Sequence, residues 1–184
     1  MIENRCDHML PKLPETWNDQ LKSLPQDIKE RDRITAVFHQ EVATVLTEKH
    51  ISIINSFYRT KTEESIQNKL SRRLLRNRYN PILDIYGTRF IIEESSIDLA
   101  AQEILKHFKT PKKYSWGMPS VVDHRKPEIR SYNSSKHYKA VHIYVPFIDT
   151  GVKNIGEIQL LTPEWMKTAN RTKRHYYKRQ GRQN

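Results

Sequence analysis

Between positions 28 and 57 the apolar residues Ile34, Val37, Phe38, Val42, Val45, Leu46 and Ile53 recur mostly at three- and four-residue steps. That spacing predicts a long amphipathic helix from Ile28 to Phe57. A second helix is expected from Thr62 to about Arg76, with Asn80-Pro81 as the break after it. The pattern then changes. Ile82, Leu83, Ile85, Tyr86, Phe90, Ile91 and Ile92 suit a buried strand, and Gly87 within it suggests a bulge or a close backbone approach. Ser95-Ser96 is placed to cap a helix running through Phe108. Residues 110–136 are mostly polar and contain Pro111, Pro119 and Pro127, which predicts a long loop with a short strand near Val121-Val122. Tyr138 to Phe147 and Ile155 to Leu161 read as strands joined by a turn at Asp149-Thr150-Gly151. Pro163 suits the first position of a last helix. The order predicts an α+β fold with a mixed β-sheet flanked by helices.

Length and composition narrow the class. A chain of 184 residues is one domain, long enough to bury a real core. The net charge of +11 is a field that attracts polyanions. Cys6 is the only cysteine, which excludes an internal disulfide framework and a cysteine-rich zinc site. It suits a reducing cytoplasm. The first ten residues do not form a signal peptide, and no apolar run approaches the roughly 18 residues of a membrane span. After Glu164 the chain carries only cations among its charged residues, from Lys167 to Arg182.

Three polar clusters carry candidate chemistry. Ser65, Lys69 and Arg72 fall at steps of four and three on one helix face, with Arg59 and Lys61 at the helix entrance. That set suits several phosphates, though a solvated basic face gives the same pattern. Asp84 and Arg89 stand in an apolar stretch, where burial is costly unless the charge is paired or holds a metal. Glu157 and Gln159 alternate with apolar residues and share one strand face. Two strands each offering a carboxylate beside a phosphate-binding helix point to Mg²⁺ and nucleotide chemistry.

The segments RTKTEESIQNKLSRR, DIYGTRFII, HYKAVHIYV and EIQLLT occur in that order between Phe57 and Thr162. Together they resemble the synthetase domain of the RelA/SpoT family, the enzymes that make ppGpp and pppGpp. The resemblance implies a nucleotidyltransferase-like fold and transfer of the β,γ-pyrophosphate of ATP to a ribose 3′-hydroxyl with release of AMP. It implies ATP binding by Arg59, Lys61, Ser65, Lys69, Arg72 and Arg89, with Arg59 stacked on adenine. It makes Asp84 the Mg²⁺ ligand, and Glu157 the acid that helps hold metal and activates the hydroxyl. Tyr138 becomes the aromatic under the acceptor base, with His142 and Gln159 beside it. The implied organisation is a helical extension over 1–57, a catalytic core over 58–165 and a basic helix or tail over 166–184. No hydrolase domain is expected.

The chain departs from the family pattern at His137, where glycine is usual, and at Leu161, where arginine is usual. The second change removes a cation from the acceptor side. A toxic branch of similar small synthetases modifies the 3′-terminal adenosine of tRNA, and that is the favoured acceptor, with a neutralising antitoxin as a further partner. Lys29, Arg31, Lys112, Lys113, Lys173 and Arg174 are candidate tRNA contacts. The alternative is GDP or GTP as acceptor, giving ppGpp or pppGpp. A third reading is a non-catalytic RNA-binding module.

Overall fold

A computed structural model describes residues 16–76, 78, 80–126, 138–149 and 151–169. Helix α1 spans Trp17–Ser23 and α2 spans Ile28–Glu48. Strand β1 is Ile53–Thr60, α3 is Glu63–Leu74, β2 is Tyr86–Ile92 and α4 is Ile97–His107. Strands β3 (Val121–Asp123), β4 (Val141–Asp149) and β5 (Val152–Leu161) follow, and residues 163–169 are helical, labelled α5. The five strands make one sheet in the order β1-β2-β5-β4-β3. Only the β2–β5 pairing is parallel, so the sheet is mixed, as the sequence predicts.

Helix α2 is shorter than its apolar spacing suggests. It stops at Glu48, and Ile53 to Thr60 form an edge strand instead of further helix. The stop is a Schellman ending: Ile51 N–H donates to Leu46 O at 3.0 Å and His50 N–H to Thr47 O at 2.9 Å. His50 takes the left-handed position, φ 56°, where glycine is the usual signal. Lys109, φ 47°, ends α4 in the same way. A boundary at residue 57 therefore cuts through β1, and α2 packs on the sheet as a layer of the core. The strand expected over Ile82–Ile92 begins only at Tyr86, so Asp84 lies in the turn before it.

The two sheet faces differ in chemistry. Phe90, Ile158, Leu160, Val141, Ile143 and Val145 point to the helix side and join Phe38, Val42 and Ile104 in the core. Gly156 belongs to that face, and a Cβ there would stand 2.4 Å from the Phe38 ring. Phe38 is itself stacked on Phe147 at 4.5 Å and cannot simply swing away. Gly156→Ala is therefore expected to destabilise the fold by about 1–3 kcal/mol, read as a lowered melting temperature. An unchanged melting temperature would mean that α2 shifts without cost. The opposite face carries Arg59, Arg89, Glu157, Gln159, His142 and Tyr144.

Candidate active site

Strand register brings the polar residues together. Arg59, Gly87, Glu157 and Tyr144 form one row across β1, β2, β5 and β4. The next row on the same face is Phe57, Arg89, Gln159 and His142. Gly87 has no side chain, so the Arg59 chain lies over it; a Cβ there would meet Arg59 Cγ at 3.6 Å. The result is a cleft of about 260 Å³ lined by Arg59, Arg89, Glu157 and Gln159, with Phe57 and Met166 as apolar walls. Neither the apolar spacing nor the motifs flag those two walls. Phe57 sits on the strand that reads as helix, and Met166 arrives from α5.

Asp84 stands beside α3. Gln20 holds the preceding backbone, donating to Ile82 O at 2.8 Å and accepting from Ile82 N–H at 2.7 Å. Lys61 N–H donates to Ile85 O at 2.9 Å, which joins the β1–α3 corner to the same turn. Lys69 Nζ lies 2.5 Å from Asp84 Oδ1 and Lys61 Nζ lies 2.9 Å from Oδ2. Burial alone would push the Asp84 carboxyl up, but Lys69 and Lys61 outweigh it and hold it at about 2. Desolvation carries the Lys69 ammonium below its ordinary value despite Asp84. This half-buried group therefore fixes positions more than it stabilises the fold. Thr62 caps α3, accepting from Ser65 N–H. Ser65 and Arg72 are exposed on the helix.

Glu157 is buried and receives three donors. Gln159 Nε2 donates to Oε2 at 2.9 Å, while Tyr144 OH, at 3.3 Å, and His142 Nδ1, at 3.1 Å, meet Oε1. Burial opposes ionisation; the His142 contact leads the effects that outweigh it and keep Glu157 below the usual carboxylate range. Tyr138 OH lies 2.8 Å from His142 Nε2. With Nδ1–H donating to the carboxylate, Nε2 is the ring atom left facing the Tyr138 hydroxyl. Tyr138 precedes β4 rather than lying within it. Burial pushes its hydroxyl up to about 12. His124, which no motif flags, sets its ring edge-on to His142 at 4.7 Å and to Tyr138 at 5.5 Å.

The candidate polyanion contacts divide. Lys29, Lys112 and Lys113 are exposed. Arg31 is not: its side chain is 3% exposed and pairs with Glu63 at 3.1 Å, joining α2 to α3. The charge sits on the core-facing stripe of α2, so Arg31 is a structural cation and not a surface contact. Lys173 and Arg174 lie outside the described residues.

An open sheet face that sets cations beside one half-buried and one buried carboxylate can meet a polyphosphate and take up a proton. The pattern of the region found in RelA and SpoT proteins matches residues 58–182. The chain therefore belongs to the RelA/SpoT family and is an enzyme of the pyrophosphokinase class. Its fold is shared with small alarmone synthetase 2 from Bacillus subtilis, at 19% identity and TM-score 0.54, covering 91% of this chain and 84% of that one. A GTP pyrophosphokinase family protein from Streptococcus pneumoniae matches at 15% identity and TM-score 0.55, over 86% of this chain and 80% of the other. Small alarmone synthetase 1 from Bacillus subtilis, bound to its product pppGpp, matches at 19% identity and TM-score 0.52, over 80% and 76%. No curated protein matches the chain by sequence. Among the described residues, no helix is long and apolar enough to cross a membrane.

Proposed function

We propose that this chain transfers the β,γ-pyrophosphate of ATP to a ribose 3′-hydroxyl and releases AMP. The observation that carries the reading is one open face with Arg59 and Arg89 in the cleft, Lys61 and Lys69 beside it, and the buried Glu157 carboxylate in the same row as Arg59. In the step, the acceptor oxygen forms a bond to the β-phosphorus. The bond from that phosphorus to the α–β bridging oxygen breaks, and AMP carries the electron pair away. Glu157 takes the hydroxyl proton, a task that requires it ionised. Lys61 and Lys69 hold phosphates, with Ser65 and Arg72 on the same helix as Lys69. Arg59 and Arg89 meet the base and the remaining charge. The polyphosphate carries about four negative charges, so such cations must screen it before an oxygen nucleophile approaches.

The carboxylates fit Mg²⁺. Asp84 and Glu157 are close enough that the charge on one disfavours the charge on the other. A divalent cation between them would relieve this. Among the described residues no three acidic or histidine groups form a cage. That suits an ion held by one or two carboxylates and completed by phosphate oxygens. When bound, it would neutralise charge developing on the phosphates.

For the acceptor we favour the 3′-terminal adenosine of tRNA. The described acceptor side consists of Tyr138, His142 and His124, and Leu161 is fully buried in the core where a cation would otherwise stand. Three aromatic rings suit a base and ribose better than a guanosine di- or triphosphate. Exposed Lys29, Lys112 and Lys113 and the net charge of +11 suit the rest of an RNA. GDP or GTP is the second reading, favoured by the likeness to a synthetase bound to pppGpp. Incubation with γ-labelled ATP and, separately, total tRNA, GDP, GTP and ATP separates the two. We expect label in tRNA, with a rate that falls steeply with salt. Label only in guanine nucleotides would reject the tRNA reading.

A further inference from the structure

Gln159 touches the donor and acceptor sides at once. Its Oε1 accepts from Arg89 Nε at 2.9 Å and from Arg89 Nη2 at 2.6 Å, and its Nε2 donates to Glu157 Oε2 at 2.9 Å. A guanidinium has only donors, so it must meet the amide oxygen. An ionised carboxylate has only acceptors, so it must meet the amide nitrogen. The two charged neighbours therefore fix the orientation of the amide. Both of its ends are engaged within the protein, which leaves Gln159 little to offer an acceptor.

We propose that Gln159 is a positioning residue that joins Arg89 to Glu157, so that the group meeting ATP and the group meeting the hydroxyl adjust together. The catalytic consequence rests on the pyrophosphokinase reading; the physical link does not. An arginine paired directly with Glu157 would form a strong charge-assisted contact and engage both groups. The amide instead spans them without adding charge. It leaves Arg89 Nη1 on Met166 Sδ at 3.4 Å, a weak acceptor that a ligand oxygen can replace. On the other side the chain of contacts continues through His142 to Tyr138. A donor arriving at Arg89 thus bears on the Gln159 oxygen, and through its nitrogen on the Glu157 carboxylate.

The link is read directly from the Arg89 Nε–H resonance in ¹⁵N-labelled protein. Glu157→Gln is expected to shift it clearly more when Gln159 is present than in a Gln159→Met background, where only the direct charge effect of Glu157 on Arg89 remains. Equal shifts in both backgrounds overturn the link, whether or not the protein is active. In turnover at saturating ATP, Gln159→Met is expected to lower kcat roughly 10- to 100-fold. Arg89→Lys should then lower kcat in the wild-type background but change only the KM for ATP beside Gln159→Met. Losses that multiply, or a Gln159→Met variant altered only in KM, overturn the proposal. If Gln159→Met does not fold, Gln159→Asn carries the same tests: it keeps an amide in the cleft but is one methylene too short to span Arg89 and Glu157, and it should lose kcat as well. A wild-type chain that releases no AMP with any acceptor rejects the pyrophosphokinase reading, and the resonance still decides the link.

Discussion

Glu157→Gln is expected to cut pyrophosphate transfer by about 10²–10⁴-fold, the contribution of a positioned general base. The substitution is nearly isosteric on β5, and an uncharged amide is easier to bury than a carboxylate. The fold should therefore survive, with a melting temperature near that of the wild type. The local hydrogen bonds cannot all survive. Glu157 accepts from Gln159, Tyr144 and His142, and an amide at that position offers only one acceptor oxygen. His142 and Tyr144 converge on one carboxylate oxygen, so the new nitrogen would face the Gln159 nitrogen, donor against donor. Binding of a non-hydrolysable ATP analogue in the absence of Mg²⁺ should not weaken, because a negative charge leaves the cleft. Retained binding with lost AMP release assigns Glu157 to the chemical step. Wild-type-like turnover would remove it from the mechanism.

The sequence reveals these residues unevenly, for physical reasons. Asp84, Arg89, Glu157 and Gln159 stand out because a charge or an amide inside an apolar run must be explained. The helix-facing alternation of β4 and β5 is equally plain. Strand β1 is hidden because Ile53 continues the helical spacing of α2, and because His50 ends that helix in a conformation that usually advertises itself with glycine. Pairing is hidden too. Nothing local says that Arg59 lies opposite Gly87, or that β2 runs parallel to β5. Arg31 and Lys29 look alike as cations before α2 is built, yet two positions along the helix separate a buried group from an exposed one. Tyr144 and His124 read as ordinary aromatic positions, and only the folded sheet brings them to Glu157 and His142.

Asp84→Asn is expected to abolish Mg²⁺-supported transfer while tightening the binding of metal-free ATP analogue, two opposite effects from one atom change. In the protein as it stands, Lys69 and Lys61 are engaged by Asp84 at 2.5 and 2.9 Å, so phosphates must compete with the carboxylate for both ammonium groups. Removing its charge frees the lysines and ends that competition. It also removes an oxygen donor that the fit to Mg²⁺ requires. Lys61 already disfavours the charge on Lys69, which is itself held down mainly by desolvation. Without Asp84 the Lys69 ammonium should fall further, and the bound phosphates become its natural counter-charge. Calorimetric titration of a non-hydrolysable ATP analogue with and without Mg²⁺ reads the effect. Wild type should bind the analogue more tightly with the ion, whereas Asp84→Asn should lose or reverse that preference. Turnover should fall by about 10²-fold or more, in line with the loss of electrostatic stabilisation around a transferring phosphoryl group. A variant that keeps both its turnover and its Mg²⁺ preference would make Asp84 a counter-ion that parks two lysines, and would leave Glu157 as the only described carboxylate in the metal assignment.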